Sequence, residues 1–418
     1  MSLPPYPRYK RTGLTWLGEV PEHWNTSMLC RIAKRVVVGI AEAATHAYSD
    51  DGIPILRSTN IKAGRITGDL LRIDHEFAAQ RGTKELQTGD LVTVRTGNAG
   101  ATALIPPELD GCQCFTMLIT TLRETALPQF YCYYLNSTIA QAYFEAEGWG
   151  TAQVNISVPI LKATPIPLPT LEEQNAIVQF LNSETAKMDA VIVEQQRLID
   201  LLKDEIDSLV LSSRHSANTQ LVRLGAACVA MSRPIQQREG EVYQPLGLLN
   251  RGRGIFHKDA REMAEMGDSD FFTVEHGDLL ISGQFAWEGA VALAGEDEDG
   301  CVVSHRYHLL RGKPGVALTE YICALLMTSI GDFLLNENSR GAAGRNRPLD
   351  LGSLLKEKIP LPNIQIQERI ARALAMRSRV IREAAAQRDL LEERRKALVS
   401  AAVTGKIEVR QAVAEVVA

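Results

Sequence analysis

The sequence predicts an α+β fold in which two globular regions alternate with two long helices that pair as a coiled coil. Three observations predict it. One pattern of residues is written twice along the chain. Each copy ends in an uninterrupted stretch with helical periodicity. The strands before those stretches lack the regular alternation with helices that marks a parallel α/β sheet. At 418 residues and 45% hydrophobic content, the chain is long enough for more than one core.

The duplication is read from matches that keep their order at a nearly constant separation of about 190 residues. Ile166-Pro-Leu-Pro169 returns as Ile359-Pro-Leu-Pro362, each before a Gln- and Glu-rich helical stretch. Gly89-Asp90-Leu91 matches Gly277-Asp278-Leu279, and Gly111-Cys112 matches Gly300-Cys301. Asn60 and Gly64 match Asn250 and Gly254, and YCYYLNSTI matches YICALLMTSI. Gly150 to Asn155 matches Gly341 to Asn346. The copies divide the chain into a globular region (1–165), a helical region (166–216), a second globular region (217–358) and a second helical region (359–418).

Within each globular region, Leu91 to Val94 and Leu279 to Ile281 read as strands entered from a Gly-Asp turn. The stretches around 129–144 and 319–335 read as helices. Thr170 and Glu173 fit a capping box at the start of the first long helix. Along it, Ile177, Leu181, Met188, Val191, Leu198, Leu202, Ile206 and Leu209 recur near heptad spacing. The second helix carries Ile370, Leu374, Ile381, Leu391 and Leu398 on one face and ends at Gly405. A helix of some forty residues reaches about 60 Å, more than a small domain can cover. Pairing the two apolar seams solves this and makes the helices struts between the globular regions. Measured from the proline motif to the pairs Leu201-Leu202 and Leu390-Leu391, the second strut is shorter by about one turn.

Composition narrows the function classes. No run of residues is apolar enough to span a membrane, and the first twenty lack the apolar core of a secretory signal. The seven cysteines form no CxxC pair, which fits reduced thiols in a bacterial or archaeal cytoplasm. A net charge of −5 neither demands nor excludes nucleic acid, so any such surface depends on local clusters of Arg and Lys. No catalytic, cofactor-binding or metal-ligating set emerges. Leu3-Pro4-Pro5-Tyr6 lacks the polar acceptor of an amino-methyltransferase and reads as a mobile tail. Gly405-Lys406-Ile407 lacks the frame of a phosphate loop.

What remains is a set of turn-like strings rich in amide, hydroxyl and guanidinium groups, the chemistry that contacts base edges and phosphates. In the first copy these are Arg57, Ser58 and Asn60, then Arg95, Thr96 and Asn98, then Thr151 and Gln153. In the second they are Asn250, Arg251 and Arg253, then Ser282, Gln284 and Trp287, then Arg340, Arg345, Asn346 and Arg347. Two diverged readers predict a two-part DNA target with unlike halves.

The order of strings carries a resemblance. YPRYKRTGLTWLGEVPEHW, GDLVTVRTGNAG, IPLPTLEEQNAIVQFL, IPLPNIQIQERI and ALVSAAVTGKI together resemble the specificity subunit of type I restriction–modification systems over essentially the whole chain. The resemblance implies two target recognition domains, each reading half of a bipartite asymmetric site, and an antiparallel pair of helices that fixes the spacer. It implies a non-catalytic subunit that directs two methyltransferase subunits, which use S-adenosylmethionine on adenine. Restriction/motor subunits that use ATP and Mg join for cleavage. Two departures stand out: Ile366 replaces the expected Glu after the second cap, and the first helix ends in VLSSRHSA. The alternatives are the target-recognition subunit of a fused restriction-and-modification enzyme and a coiled-coil scaffold that binds no DNA.

Overall fold

The two copies build the same sheet. A computed structural model describes residues 3–41, 45–150, 154–216, 218–235, 240–262, 265–267, 269–339, 341 and 347–410. The chain divides into two compact units, Met1–Val191 with Arg388–Ala418, and Ile192–Gln387. In the first, an antiparallel sheet runs in the order Thr102–Leu104, Leu91–Thr93, Leu118–Leu122, Ala33–Val38. In the second, the order is Val291–Leu293, Leu279–Ser282, Tyr307–Gly312, Cys228–Met231, strand for strand the same.

The Gly-Asp turn recurs because its carboxylate is a structural anchor. Asp90 is buried and accepts from the Gln87 amide at 3.0 Å, Arg35 Nη2 at 2.8 Å and Thr121 Oγ1 at 2.5 Å. Asp278 accepts from the Glu275 amide at 2.9 Å, Arg233 Nη1 at 2.7 Å and Arg311 Nε at 2.6 Å. A buried carboxylate persists only when paired and hydrogen-bonded in this way.

The helical stretches of each globular region are broken pairs: Pro128–Leu135 with Thr138–Glu147, and Thr319–Leu326 with Ser329–Glu337. Ser137 caps the second member of the first pair through the Ala140 amide. The proline motif then forms a strand, Pro165–Leu168 against Asn25–Met28 and Lys358–Leu361 against Gln220–Arg223. In both copies a buried tyrosine, Tyr131 or Tyr321, donates its hydroxyl to a carbonyl of this strand, Pro167 or Pro360. The glutamine repeated at each helix start closes the junction. Gln174 accepts from the Leu127 amide at 2.8 Å and donates to the Pro169 carbonyl at 3.0 Å. Gln367 repeats this with Leu318 at 2.9 Å and Pro362 at 2.8 Å.

The first long helix spans Leu171–Ser213 and the second Ile364–Val403, of 43 and 40 residues. The capping box forms: the Thr170 amide donates to Glu173 Oε2 at 3.2 Å and the Glu173 amide to Thr170 Oγ1 at 3.3 Å. Glu173 also accepts from Trp24 Nε1 at 3.1 Å and bonds His23 at 2.7 Å. This second duty explains Ile366, which has no indole to anchor and packs on the second unit's core instead. Helix direction is opposed. In the second unit Gln195 bonds Gln387, while Ile206, farther along the first helix, shares a core with Leu374 and Ile370, farther back along the second. In the first unit Arg395 reaches back to Thr185 and Asp189.

Ile177, Leu181, Leu202, Ile370 and Leu374 are buried, and Leu209, Ile381, Leu391 and Leu398 are half-buried. Val191 and Leu198 are corrected: at 38% and 45% exposure they lie off the seam. The seam instead steps through Met188, Ile192, Gln195, Ile199, Leu202 and Ile206, alternating four and three residues. A polar residue, Gln195, holds one seam position, and that displaced the apolar reading by one residue at each neighbour.

The N-terminal tail is also corrected. Tyr6 is 3% exposed and meets Trp24 edge-on at 5.8 Å, within the core that includes Ala402, Val403 and Val409. Tyr9 donates its hydroxyl to the Gly405 carbonyl at 3.0 Å, and the Glu408 amide donates to Pro4 at 2.8 Å. Gly405, at φ +70°, ends the second helix. Any Cβ there would collide with the Pro21 ring. The opening string and the VTGKI string are thus two sides of one packed closure.

Candidate nucleic-acid interface

In the first unit the predicted groups sit on separate turns. Asn60 is 2% exposed and its amide is occupied: Oδ1 accepts from the Arg57 amide at 3.0 Å, and Nδ2 donates to Thr67 at 2.9 Å and Asp69 at 3.2 Å. It therefore shapes the turn that displays Ser58 and part of Arg57. Arg95 is half-buried and donates through Nε to the Ile156 carbonyl at 3.3 Å. Thr96 and Asn98 are exposed, and Thr96 bridges to Asn155. Asn155 also bridges to Trp149, a residue 61% exposed that the sequence reading passed over. A lone aromatic between two glycines was its available signal. Thr151 and Gln153 lie outside the described residues.

The second unit gathers more of its predicted groups. Asn250, Arg251, Arg253 and Trp287 line one cavity of about 720 Å³, with Glu288 and Asp332 on its wall. Arg347 stacks over the Trp287 ring at 5.1 Å and is held by the Ser339 carbonyl at 3.1 Å. The Trp287 Nε1 is buried without a hydrogen-bond partner. Burial pushes the Asp332 carboxyl above its usual range. Ser282 is corrected: it is 4% exposed and its hydroxyl accepts from the Phe285 amide at 3.1 Å, so it is a turn anchor. Gln284 is half-buried at the same turn. Arg340, Arg345 and Asn346 lie outside the described residues.

The turn bearing the arginines is fixed from two sides. The Arg251 amide donates to Glu288 O at 2.9 Å, and the Gly252 amide to Gly289 O at 2.9 Å. From beneath, the buried Arg377 of the second long helix donates through Nη1 to Gly252 O at 3.2 Å. Burial lowers the Arg377 pKa from its ordinary value. A charged residue in an apolar heptad row was the sequence signal for Arg377. Among the described residues no group of three His, Cys, Asp or Glu side chains could hold a metal, and no helix is long and apolar enough to cross a membrane.

Comparison with known proteins settles the family. Residues 42–197 and 259–387 match the family model described as the type I restriction modification DNA specificity domain, more than half of the chain. The chain belongs to the type I restriction–modification DNA specificity family. It is a DNA sequence-specificity subunit, a non-catalytic component of a type I system. It is 20% identical over 385 residues to the StySPI specificity subunit of Salmonella potsdam, covering 85% of this chain and 82% of that protein. It is 22% identical over 177 residues to the EcoBI specificity subunit of Escherichia coli, covering 41% and 37%. A chain from a solved structure titled for complex assembly and conformational transition of the type I restriction–modification system matches with a TM-score of 0.52. That match has 17% identity and covers 93% of this chain and 99% of that one. It supports the fold of two duplicated regions with two long helices.

Proposed function

We propose that each unit reads one half of a bipartite, asymmetric double-stranded DNA site. In this reading the chain delivers two methyltransferase subunits, with their S-adenosylmethionine, to adenines in that site. Restriction/motor subunits dependent on ATP and Mg complete the complex. The observation that carries the reading is one sheet topology built twice with unlike residues at matching turns. The first copy has Asn60-Ile-Lys-Ala-Gly64 where the second has Asn250-Arg-Gly-Arg-Gly254. Equal scaffolds suit equal partner subunits, and unlike turns suit unlike half-sites.

The test is to assemble the full chain with its methyltransferase subunits, supply S-adenosylmethionine, and map methylated adenines across a genome. A single motif of two unlike halves at fixed spacing is expected, with binding that weakens steeply as salt rises. Methylation without sequence preference, or at a palindrome, would refute the reading.

A further inference from the structure

The turn Asn250–Gly254 combines features that a plain surface hairpin does not need. Arg251 holds φ +58°, a left-handed conformation that non-glycine residues adopt at a cost. Close packing leaves it little freedom: a Cβ on Gly289 would stand 3.3 Å from the Arg251 Cα. The turn is tied to Glu288 and Gly289 through its backbone, and Asn250 bonds the Glu288 carboxylate. Arg253 donates back to Asn250 O at 3.0 Å. Underneath, Arg377 spends a buried charge on Gly252 O and leaves its Nε without a partner. This restraint presents the exposed Arg251 side chain at the cavity, with no hydrogen-bond partner among the described residues.

The cavity chemistry selects what that guanidinium meets. Glu288 and Asp332 line the cavity beside Arg251 and Arg253, so positive and negative groups balance there and the excess of positive charge that holds a phosphate is missing. Base edges are different. A guanine offers O6 and N7 to an arginine fork, and its cytosine offers an N4 amine to a carboxylate. Arginine and acid side by side therefore complement the mixed acceptors and donor of a G·C pair better than the uniformly negative sugar-phosphate backbone. The first copy has Ile61, fully buried, at the matching position.

We propose that Arg251 is a specificity-determining residue of the second unit, reading the guanine of a G·C pair, and that Arg377 is the positioning residue that holds its turn. The proposal rests on the reading of each unit as the reader of one half-site. Guanidinium geometry supplies the discrimination, so charge alone does not replace it. Arg377 acts on the turn through its bond to the Gly252 carbonyl.

The test uses the full chain assembled with its methyltransferase subunits on a pool of randomised DNA duplexes, with methylated sequences counted. If the native complex shows no motif, the half-site reading itself has failed. Given a motif, Arg251→Gly removes the guanidinium while relieving the left-handed backbone, so the fold is spared. It is expected to lower preference for one G·C pair in one half-site by roughly ten- to a hundredfold, with the other half unchanged. Arg251→Lys is expected to lose the same preference despite its charge. Arg377→Met, which replaces the buried charge with an apolar chain, is expected to relax the same base pair with little change in Tm. An unchanged motif in Arg251→Gly overturns the proposal. So does uniform weakening over all sequences with a shallower salt dependence, the mark of a phosphate contact. A shifted Tm with an intact motif in Arg377→Met overturns its positioning role.

Discussion

Replacing Gln367 by Leu tests whether the repeated glutamine clamps each globular region to its helix. Gln367 is 1% exposed and bonds the Leu318 amide at 2.9 Å and the Pro362 carbonyl at 2.8 Å. Leucine matches its volume and fills the site, so the loss is polar. It strands the Leu318 N–H and the Pro362 C=O and also loses a longer bond to the Val316 C=O at 3.4 Å, which lies nearer solvent; each buried unsatisfied group costs about 1–3 kcal/mol. Together they should destabilise the second unit by about 2–4 kcal/mol, near the low end of the summed range because partial relaxation admits some water. For a unit of this size that is a fall in Tm of about 5–15 °C. Gln174→Leu should cost the first unit a similar amount, because Gln174 makes the equivalent bonds to Leu127 and Pro169. Thermal unfolding of each variant, followed by calorimetry with urea unfolding as a check, measures both. A cost below about 0.5 kcal/mol in either copy, the range of ordinary surface substitutions, would refute the clamp.

The displaced seam predicts that Leu198→Lys leaves stability within about 0.5 kcal/mol, since the side chain is already 45% exposed. Ile206→Ala, at 3% exposure, should cost about 2–5 kcal/mol; a reversal in urea unfolding would restore the apolar reading of the seam. Burial alone would raise the Glu173 pKa, but hydrogen bonds from His23, Trp24 and the Thr170 amide outweigh it and hold the carboxyl below its ordinary 4.5. A depressed folded value means its contribution is present above the unfolded pKa and is lost as pH falls through the folded one. Glu173→Gln should therefore flatten the acid limb of the stability profile below about pH 4.5 and leave the neutral region without further slope; an unaltered acid limb argues against the anchor. Cys30 is exposed while the other six cysteines are buried, and burial pushes the Cys112, Cys132 and Cys323 thiols up to about 12. Native protein should take up one alkyl group, at Cys30, by mass spectrometry, and labelling of a second cysteine before unfolding would contradict this packing.

Much of the candidate interface was legible only in part. The chemistry of Arg251, Arg253 and Trp287 could be read from residue type, and their turns from glycine spacing. Asn60 and Ser282 look the same in sequence, yet their polar atoms bond the chain itself, because a short polar side chain in a turn competes for nearby backbone groups. Glu288, Asp332 and Arg377 join the site from segments far apart in sequence, and no local pattern marks that convergence.

Local rules already marked the duplication, the capped start of the first long helix and the boundary at Gly405: proline before a helix, a capping box, glycine at φ above zero. The family followed from the order of those strings. What each repeated string is for emerges only from its packing partners. The Gly-Asp turn anchors arginines from distant segments of its own unit, the proline motif and its glutamine hold the start of the long helix, and the opening string closes over VTGKI. The centre of the seam was decided by packing too. Within the second unit Gln195 and Gln387 meet through a polar contact, and no apolar periodicity foretells a polar rung.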